Sequence, residues 1–156
     1  MITPEQNDIP LNERVRRVNE FCKNNKCIFI SVHCNAGGGI GWEVWTTTRK
    51  NNSDKLAECF VNAFPKVFPD KRLRGAKEKN FTVINGTNCP SIITENFFID
   101  TEDECKWLMT DDAINRIAEL LGDSKQMVIE VYNHSIESKE KVEEVYTPIT
   151  TYNNPN

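Results

Sequence analysis

The sequence predicts an α/β fold, with a mainly parallel sheet and helices on both of its faces in three layers. Short apolar runs that are typical of strands alternate along the chain with segments whose apolar residues recur at helical spacing. The run from Cys27 to Val32 is predominantly apolar, as expected for a strand covered on both faces. A length of 156 residues and a hydrophobic fraction of 38% suit one globular domain. We expect this domain over residues 1–138, followed by a polar tail over 139–156.

The first half of the chain predicts two helices and two strands. Apolar residues at helical spacing begin at Leu11, and the helix should end near Asn24. Ser53 and Asp54 are typical helix-capping residues, and Pro65 is expected to interrupt the helix that they begin. The predicted elements are a helix from residue 11, strands over 27–32 and 42–47, and a helix over 53–64.

The second half predicts further strands, then helices. Residues 69–80 are expected to form a polar connection. The segment from Thr101 to Glu104 has the form of a capping box, and Asp111 begins another helical pattern that ends before Gly122. The predicted strands cover 81–84 and 91–94, with an edge strand over 127–132 and a mobile tail after Ser138.

Composition excludes several classes of partner. The net charge is −4 and no basic stripe with interleaved aromatic residues is present, so we expect no nucleic acid partner. No apolar run approaches the ~20 residues that span a bilayer, so we expect no membrane partner. The amino terminus lacks the pattern of a secretory signal, which makes the cytoplasm the default location.

The six cysteines contain no C-x-x-C pair, which argues against a zinc knuckle. The expected compartment favours reduced, structural cysteines over a disulfide framework. Four of them fall on apolar faces of predicted elements: Cys22, Cys27, Cys59 and Cys105. Cys34 lies beside His33, but adjacent strand residues point to opposite faces, which disfavours a Cys–His couple.

Two predicted strands end in residues suited to chemistry. His33 follows the strand over 27–32, ahead of three consecutive glycines, and Glu95 follows the strand over 91–94. Sites in α/β proteins form outside the carboxyl ends of the strands. If these strands are neighbours, His33 and Glu95 face one crevice, where a carboxylate beside a metal-activated water would act as a general base.

These residues resemble the zinc-dependent N-acetylmuramoyl-L-alanine amidases of bacterial cell walls and of phage or spore lysins. The resemblance covers residues 1–122 in order. Its motifs are ISVHCNA at 30–36, GWEVW at 41–45 and ITENFF at 93–98, with supporting matches in the helices over 11–19 and 53–64. It implies hydrolysis of the amide between muramic acid and L-alanine in peptidoglycan, with zinc as cofactor and peptidoglycan as partner. It also makes release to the cell wall as a lysin the alternative location.

The resemblance assigns His33 as a zinc ligand and Glu95 as the catalytic glutamate. The family holds its zinc with two histidines and a glutamate. Its first ligand histidine and its ligand glutamate both precede the region that residues 3–8 match here. The chain is therefore expected to be amino-terminally truncated relative to the family and to lack two of the three ligands. The exposed sheet edge that results would favour self-association.

Other polar residues near these motifs have competing interpretations. Asn35 and Asn96 are candidates for lining the cleft and binding substrate amides. Glu43 is interpreted as a solvent-side or cross-strand residue in preference to a ligand. The basic residues between Lys71 and Lys79 suit a solvated loop, with contact to anionic wall polymers as the alternative. His134, the second histidine of the chain, is expected at the surface.

Three hypotheses follow for the function. The first is a zinc amidase that cleaves peptidoglycan through His33 and Glu95. The second is a catalytically dead module that binds the wall without cutting it. The third is a remnant that folds only with a partner or as a dimer.

Overall fold

The protein is described here from a computed structural model that covers residues 7–49 and 52–122. Four strands form one sheet in the order β1-β4-β2-β3. β1 is parallel to β4 and β2 is parallel to β3, while β2 and β4 are antiparallel. The helices and strands are α1 (Leu11–Cys22), β1 (Phe29–Asn35), β2 (Trp42–Thr46), α2 (Ser53–Val67), β3 (Leu73–Glu78), α3 (Thr82–Asn85), β4 (Ser91–Phe98) and α4 (Glu102–Leu108), with residues 111–122 also helical. The predicted, mainly parallel α/β fold is confirmed.

The main core lies between one face of the sheet and α2. Trp42 and Val44, two residues apart on β2, are fully buried on this face. The ring of Phe64 stacks on Trp42 with ring centroids 5.2 Å apart, and Phe68 continues the stack at 5.0 Å from Phe64. Burial of these large rings contributes to the hydrophobic stabilisation that holds α2 on the sheet.

The opposite face of the sheet carries a smaller apolar cluster. Ile93 of β4 packs there with Val83 and Ile84 of α3. Helix α1 lies beside α3, and its Asn19 side chain donates to the Gly86 carbonyl at 2.9 Å. Helices therefore cover both faces of the sheet, as the three-layer prediction requires.

Three sequence-based assignments were wrong. The polar segment over 69–80 contains strand β3, because an edge strand exposed to water tolerates charged residues. The predicted strand over 81–84 is instead α3, where the Asn85 amide donates back to the Phe81 carbonyl. Helix α2 continues past Pro65 to Val67, because burial of Val67 and Phe68 outweighs the loss of one backbone hydrogen bond near its end.

The capping signal at Thr101 locates the start of α4 correctly, but its side chains make other bonds. The Thr101 hydroxyl donates to the Gly39 carbonyl at 2.7 Å. The buried Glu104 carboxylate accepts from the Gly41 amide at 2.7 Å and from the Phe98 amide at 2.7 Å. A pattern typical of a local cap thus ties the glycine loop to the end of β4.

The prediction that all cysteines are reduced was wrong for one pair. Cys22 and Cys27 form a disulfide, with Cα atoms 5.9 Å apart. Cys22 ends α1 and the chain turns back within five residues, so that the two side chains meet despite the absence of a C-x-x-C spacing. Cys34, Cys59, Cys89 and Cys105 are free.

Other predictions concern the membrane and the carboxyl-terminal segment. Within residues 7–49 and 52–122, no helix combines the length and apolar character needed to cross a bilayer. The predicted strand over 127–132, the boundary near residue 138, the tail over 139–156 and His134 lie outside the described residues.

Candidate active site

Strand register brings three polar residues to one position of the sheet. His33 of β1 is the parallel partner of Glu95 on β4, and Glu43 of β2 is the antiparallel partner of the same Glu95. Paired residues on adjacent strands present their side chains to the same face. The sequence analysis placed His33 and Glu95 in one crevice on the condition that their strands are neighbours, and the pairing of β1 with β4 meets that condition.

Both strands extend further than predicted. β1 continues to Asn35 and β4 to Phe98, so His33 and Glu95 lie within strands and not after them. The regular pairing of β1 with β4 is interrupted directly beyond His33. Phe97 has a positive φ of 65°, and its ring packs 4.7 Å from Trp107. This aromatic contact holds the unusual backbone that ends the regular pairing beside the site.

His33 is exposed in the described part of the chain, and Ser31 on the same face of β1 contacts its ring. The Nε2 atom lies 2.8 Å from the Ser31 hydroxyl oxygen. Desolvation by the surrounding chain lowers the pKa of His33, and the positive charge of Arg14 lowers it further. A lowered pKa keeps the imidazole neutral at physiological pH, which is the form that binds metals.

Glu95 presents a carboxylate oxygen without a partner. Its Oε2 atom is buried and accepts no hydrogen bond from the described residues. Burial raises the pKa of Glu95, and the negative charge of Glu43 raises it further. A desolvated carboxylate with a raised pKa is a stronger base than an ordinary surface glutamate, so this oxygen is suited to accept a proton from water.

Glu43 is a buried charge held by four donors. Only 2% of the residue is exposed. The Oε2 atom accepts from Arg74 Nε at 2.5 Å and from Lys77 Nζ at 2.6 Å. The Oε1 atom accepts from Asn35 Nδ2 at 3.0 Å and from Trp45 Nε1 at 3.0 Å. Burial alone would raise the pKa of Glu43, but the ion pairs to Lys77 and Arg74 lower it, and the carboxylate stays charged.

A bulge in β3 explains why two basic residues three positions apart reach the same carboxylate. Gly75 has a φ of +85°, and the pairing of β2 with β3 shifts by one residue there. The extra residue changes the alternation of side chains, so Arg74 and Lys77 both face Glu43. The interpretation of the 71–79 cluster as a solvated loop was wrong at these two positions. Glu43 itself is a cross-strand residue, as one alternative held, but it is not on the solvent side.

The two asparagines lie in different surroundings. Asn35 is half-buried and its amide contacts Glu43, next to the site. Asn96 is buried on the other face of β4, where its Nδ2 atom donates to the His33 carbonyl at 2.9 Å and its Oδ1 atom accepts from Trp42 Nε1 at 2.9 Å. Asn96 thereby fixes the backbone of His33 from behind. Substrate binding by Asn35 and Asn96 stays a prediction.

The glycine loop after β1 is anchored by an acidic residue. The amides of Gly37 and Gly38 donate to the Asp100 carboxylate at 2.6 and 2.9 Å. Both glycines have a positive φ, a conformation that other residues adopt only at a cost. The loop that borders His33 is therefore held against the turn after β4.

The described residues supply only part of a catalytic zinc site. Catalytic zinc normally has three protein ligands and one open position. Among the residues that the structure describes, the one cluster of three potential ligands is formed by Cys22, Cys27 and Cys89, and His33 is not in it. The chemistry of His33 fits a zinc ligand and that of Glu95 fits a base, but two further ligands would have to come from outside the described ranges.

Comparison with known proteins relates this chain to cell-wall amidases. A family model described as N-acetylmuramoyl-L-alanine amidase matches residues 1–124. The endolysin of Bacillus phage SPP1 is 31% identical over 115 residues, which are 70% of this chain and 41% of the endolysin. The sporulation-specific N-acetylmuramoyl-L-alanine amidase of Bacillus subtilis (strain 168) is 29% identical over 110 residues, 70% of this chain and 42% of that protein. The chain spans about two fifths of the length of these relatives.

A solved structure shares the fold. The catalytic domain of CwlV, an N-acetylmuramoyl-L-alanine amidase from Bacillus (Paenibacillus) polymyxa var. colistinus, superposes with a TM-score of 0.73 at 23% identity. The superposition covers 83% of this chain and 71% of that chain.

Proposed function

The chain belongs to the N-acetylmuramoyl-L-alanine amidase family, and we propose that its His33–Glu95 site serves zinc-dependent cleavage of the amide between muramic acid and L-alanine in peptidoglycan. The observation that carries the proposal is the pairing of His33 with Glu95 on adjacent parallel strands, where Glu95 offers a buried oxygen free of hydrogen bonds from the described residues. That arrangement combines a neutral nitrogen ligand with a base on one face of the sheet.

The residues of this chain have separate tasks in the proposed reaction. Glu95 accepts a proton from the attacking water and delivers it to the leaving amine of L-alanine, as a general acid–base must. Glu43 stays charged and keeps the pKa of Glu95 high without itself being free to take the proton, because four donors hold it. His33 would hold the metal through a neutral ring nitrogen, and Asn35 orients Glu43 at the edge of the site.

Zinc is the cofactor that the family implies. When bound, it would polarise the scissile carbonyl and make water easier to deprotonate. His33 is the described residue that would hold it, and the other ligands would come from polypeptide outside residues 7–49 and 52–122.

The test is cleavage of purified peptidoglycan by the zinc-supplemented chain. We expect soluble peptides from the unaltered protein and none from Glu95→Gln, a variant that keeps the size of the side chain but removes the base. Cys34→Ser is the matched control, since Cys34 is exposed on the neighbouring position of β1 and has no assigned role. Equal release by Glu95→Gln and the unaltered chain would contradict the assignment of the base.

A second candidate is a wall-binding module that does not cut. The specific observation in its favour is that His33 has no second and third ligand among the described residues. This function predicts sedimentation with insoluble peptidoglycan and no peptide release at any zinc concentration. Release that requires both zinc and Glu95 would exclude it.

The proposed site of action is the cell wall, where the substrate lies.

Self-association through the edge of β1 also stays a proposal. β1 is an outer strand of the described sheet, and its side chains Val32 and His33 are exposed there. Sedimentation equilibrium tests it, because a concentration-dependent dimer supports the proposal and a strict monomer contradicts it.

A further inference from the structure

Three sulfur atoms meet at the end of the sheet opposite to the candidate active site. The Sγ atoms of Cys22, Cys27 and Cys89 all lie within 4.8 Å of one another. Cys22 ends α1, while Cys27 and Cys89 each stand two residues before a strand, β1 and β4 respectively. Because Phe29 and Ser91 are paired in register, the two residues that precede them by two positions are also brought side by side.

This cluster is remote from His33 and Glu95. Cys27 and His33 are six positions apart, which corresponds to ~20 Å of extended chain. The cysteines lie at the amino ends of β1 and β4, and the proposed catalytic residues lie toward the carboxyl ends. A metal ion bound by the three cysteines therefore cannot also contact His33.

The position of Cys89 beside the disulfide suits a thiophilic cation once the disulfide is reduced. Two thiolates bound to one tetrahedral zinc at ~2.3 Å lie about 3.8 Å apart, and the Cys89 Sγ atom lies within 4.8 Å of both other sulfurs. The Cys22 and Cys27 sulfurs are bonded to each other in the structure, so reduction has to separate them before both can bind one ion. Cys89 is buried, while Cys22 and Cys27 are half-buried, so an ion has access from one side and protein atoms on the other.

We propose that the reduced protein binds one zinc ion through Cys22, Cys27 and Cys89, and that the Cys22–Cys27 disulfide is the alternative, metal-free state of the same cluster. A dithiol reductant converts one state into the other: it supplies two electrons and two protons to the disulfide and is itself oxidised to a disulfide. Zinc then replaces the three thiol protons, which are released, and water completes the tetrahedron. Either state links α1 to β1, and the zinc state also links both to β4.

The experiment is a Co²⁺ titration of the full chain, kept under argon after treatment with a dithiol and removal of the excess. Co²⁺ occupies zinc sites and gives a thiolate-to-metal charge-transfer band only when sulfur is bound. We expect the band to saturate at one equivalent and to be bleached by added Zn²⁺. We expect the same band in His33→Ala, which separates this site from the proposed catalytic one. Cys34→Ser, which removes an exposed thiol outside the cluster, should also retain it.

Removal of a cluster cysteine should abolish the band. Cys22→Ser is the primary variant because its side chain is half-buried and the substitution leaves the core intact. Cys89→Ser, at a buried position, is the second variant, and its fold is checked by the far-ultraviolet dichroism spectrum. The oxidised protein, with the Cys22–Cys27 disulfide verified by mass spectrometry, should show no band. Absence of the band in the reduced protein, or its persistence in both serine variants, would overturn the proposal.

Discussion

Neutralising Glu43 should cost the protein stability, because all four of its described donors would lose the charged, buried acceptor that they now share. In Glu43→Gln the side chain is neutral, so the ion pairs to Arg74 and Lys77 are both lost, and an NH2 donor replaces one of the two accepting oxygens. Removing one partner of a fully buried pair costs about 3–5 kcal/mol. Arg74 and Lys77 retain 26% and 33% of their side-chain exposure, so water can partly solvate them, and we expect a smaller loss of about 2 kcal/mol.

Thermal unfolding measures this loss. A change of about 2 kcal/mol corresponds to a Tm lower by about 4–8 °C in a protein of this size. Glu102→Gln is the matched control, because Glu102 pairs with Lys106 at the exposed surface. This variant should unfold with an unchanged Tm. If both variants melt together with the unaltered protein, Glu43 does not bind the two cations in the way that the structure shows.

Three further variants examine the base, the core and the bulge. Burial raises the pKa of Glu95, so the folded state binds this proton more tightly than the unfolded state, and stability falls as the pH rises above the unfolded pKa of about 4.3. The Tm of Glu95→Gln should therefore rise relative to the Tm of the unaltered chain from acid to neutral pH. A constant difference between the two Tm values would contradict the raised pKa. Phe64→Ala removes a buried ring that stacks on Trp42, and chemical denaturation should register a loss of about 3–5 kcal/mol; a loss below 1 kcal/mol would refute its place in the core. Gly75 has a positive φ, and a Cβ added there meets no atom within 4 Å. Gly75→Ala should therefore lower the free energy of unfolding only by the cost of a left-handed backbone at a non-glycine residue, about 1–2 kcal/mol, in the same assay. An unchanged stability would contradict the left-handed conformation.

The sequence predicted the parts of the fold that depend on local pattern. The helical spacing from Leu11, the alternation of Trp42 with Val44 and the capping residues near Thr101 each indicated an element that the structure contains. The sequence also indicated that His33 and Glu95 lie toward the carboxyl ends of their strands, but the pairing of those two strands became known only from the structure.

The errors lie where tertiary contacts override local preference. β3 is a charged segment that becomes a strand only because it pairs with β2 and because Arg74 and Lys77 neutralise Glu43. The segment at Phe81 has the composition of a strand, yet it folds as the short helix α3 over the sheet. The meeting of Cys22 with Cys27 depends on how the chain reverses after α1, which residue spacing alone does not indicate.

The role of Glu43 was missed for the same reason. Its four donors come from three strands. Asn35 and Trp45 are close to Glu43 in sequence, but the two cations are 31 and 34 positions away, too far for the sequence to reveal the contact. The one signal available was a glutamate in a strand whose neighbouring positions, Trp42 and Val44, are strongly apolar. A charge there requires partners, and the cluster of basic residues after Lys71 was the place to seek them.

The bond that is cut provides the most direct test of the proposed site. Purified peptidoglycan is incubated with the zinc-supplemented chain, and the amino-terminal residues newly exposed in the soluble fraction are identified by labelling and mass spectrometry. We expect L-alanine as the new amino terminus with the unaltered chain, and none with Glu95→Gln or His33→Ala. New L-alanine termini in equal yield from all three proteins, or new termini of any other residue, would contradict the assignment of His33 and Glu95 to amide hydrolysis.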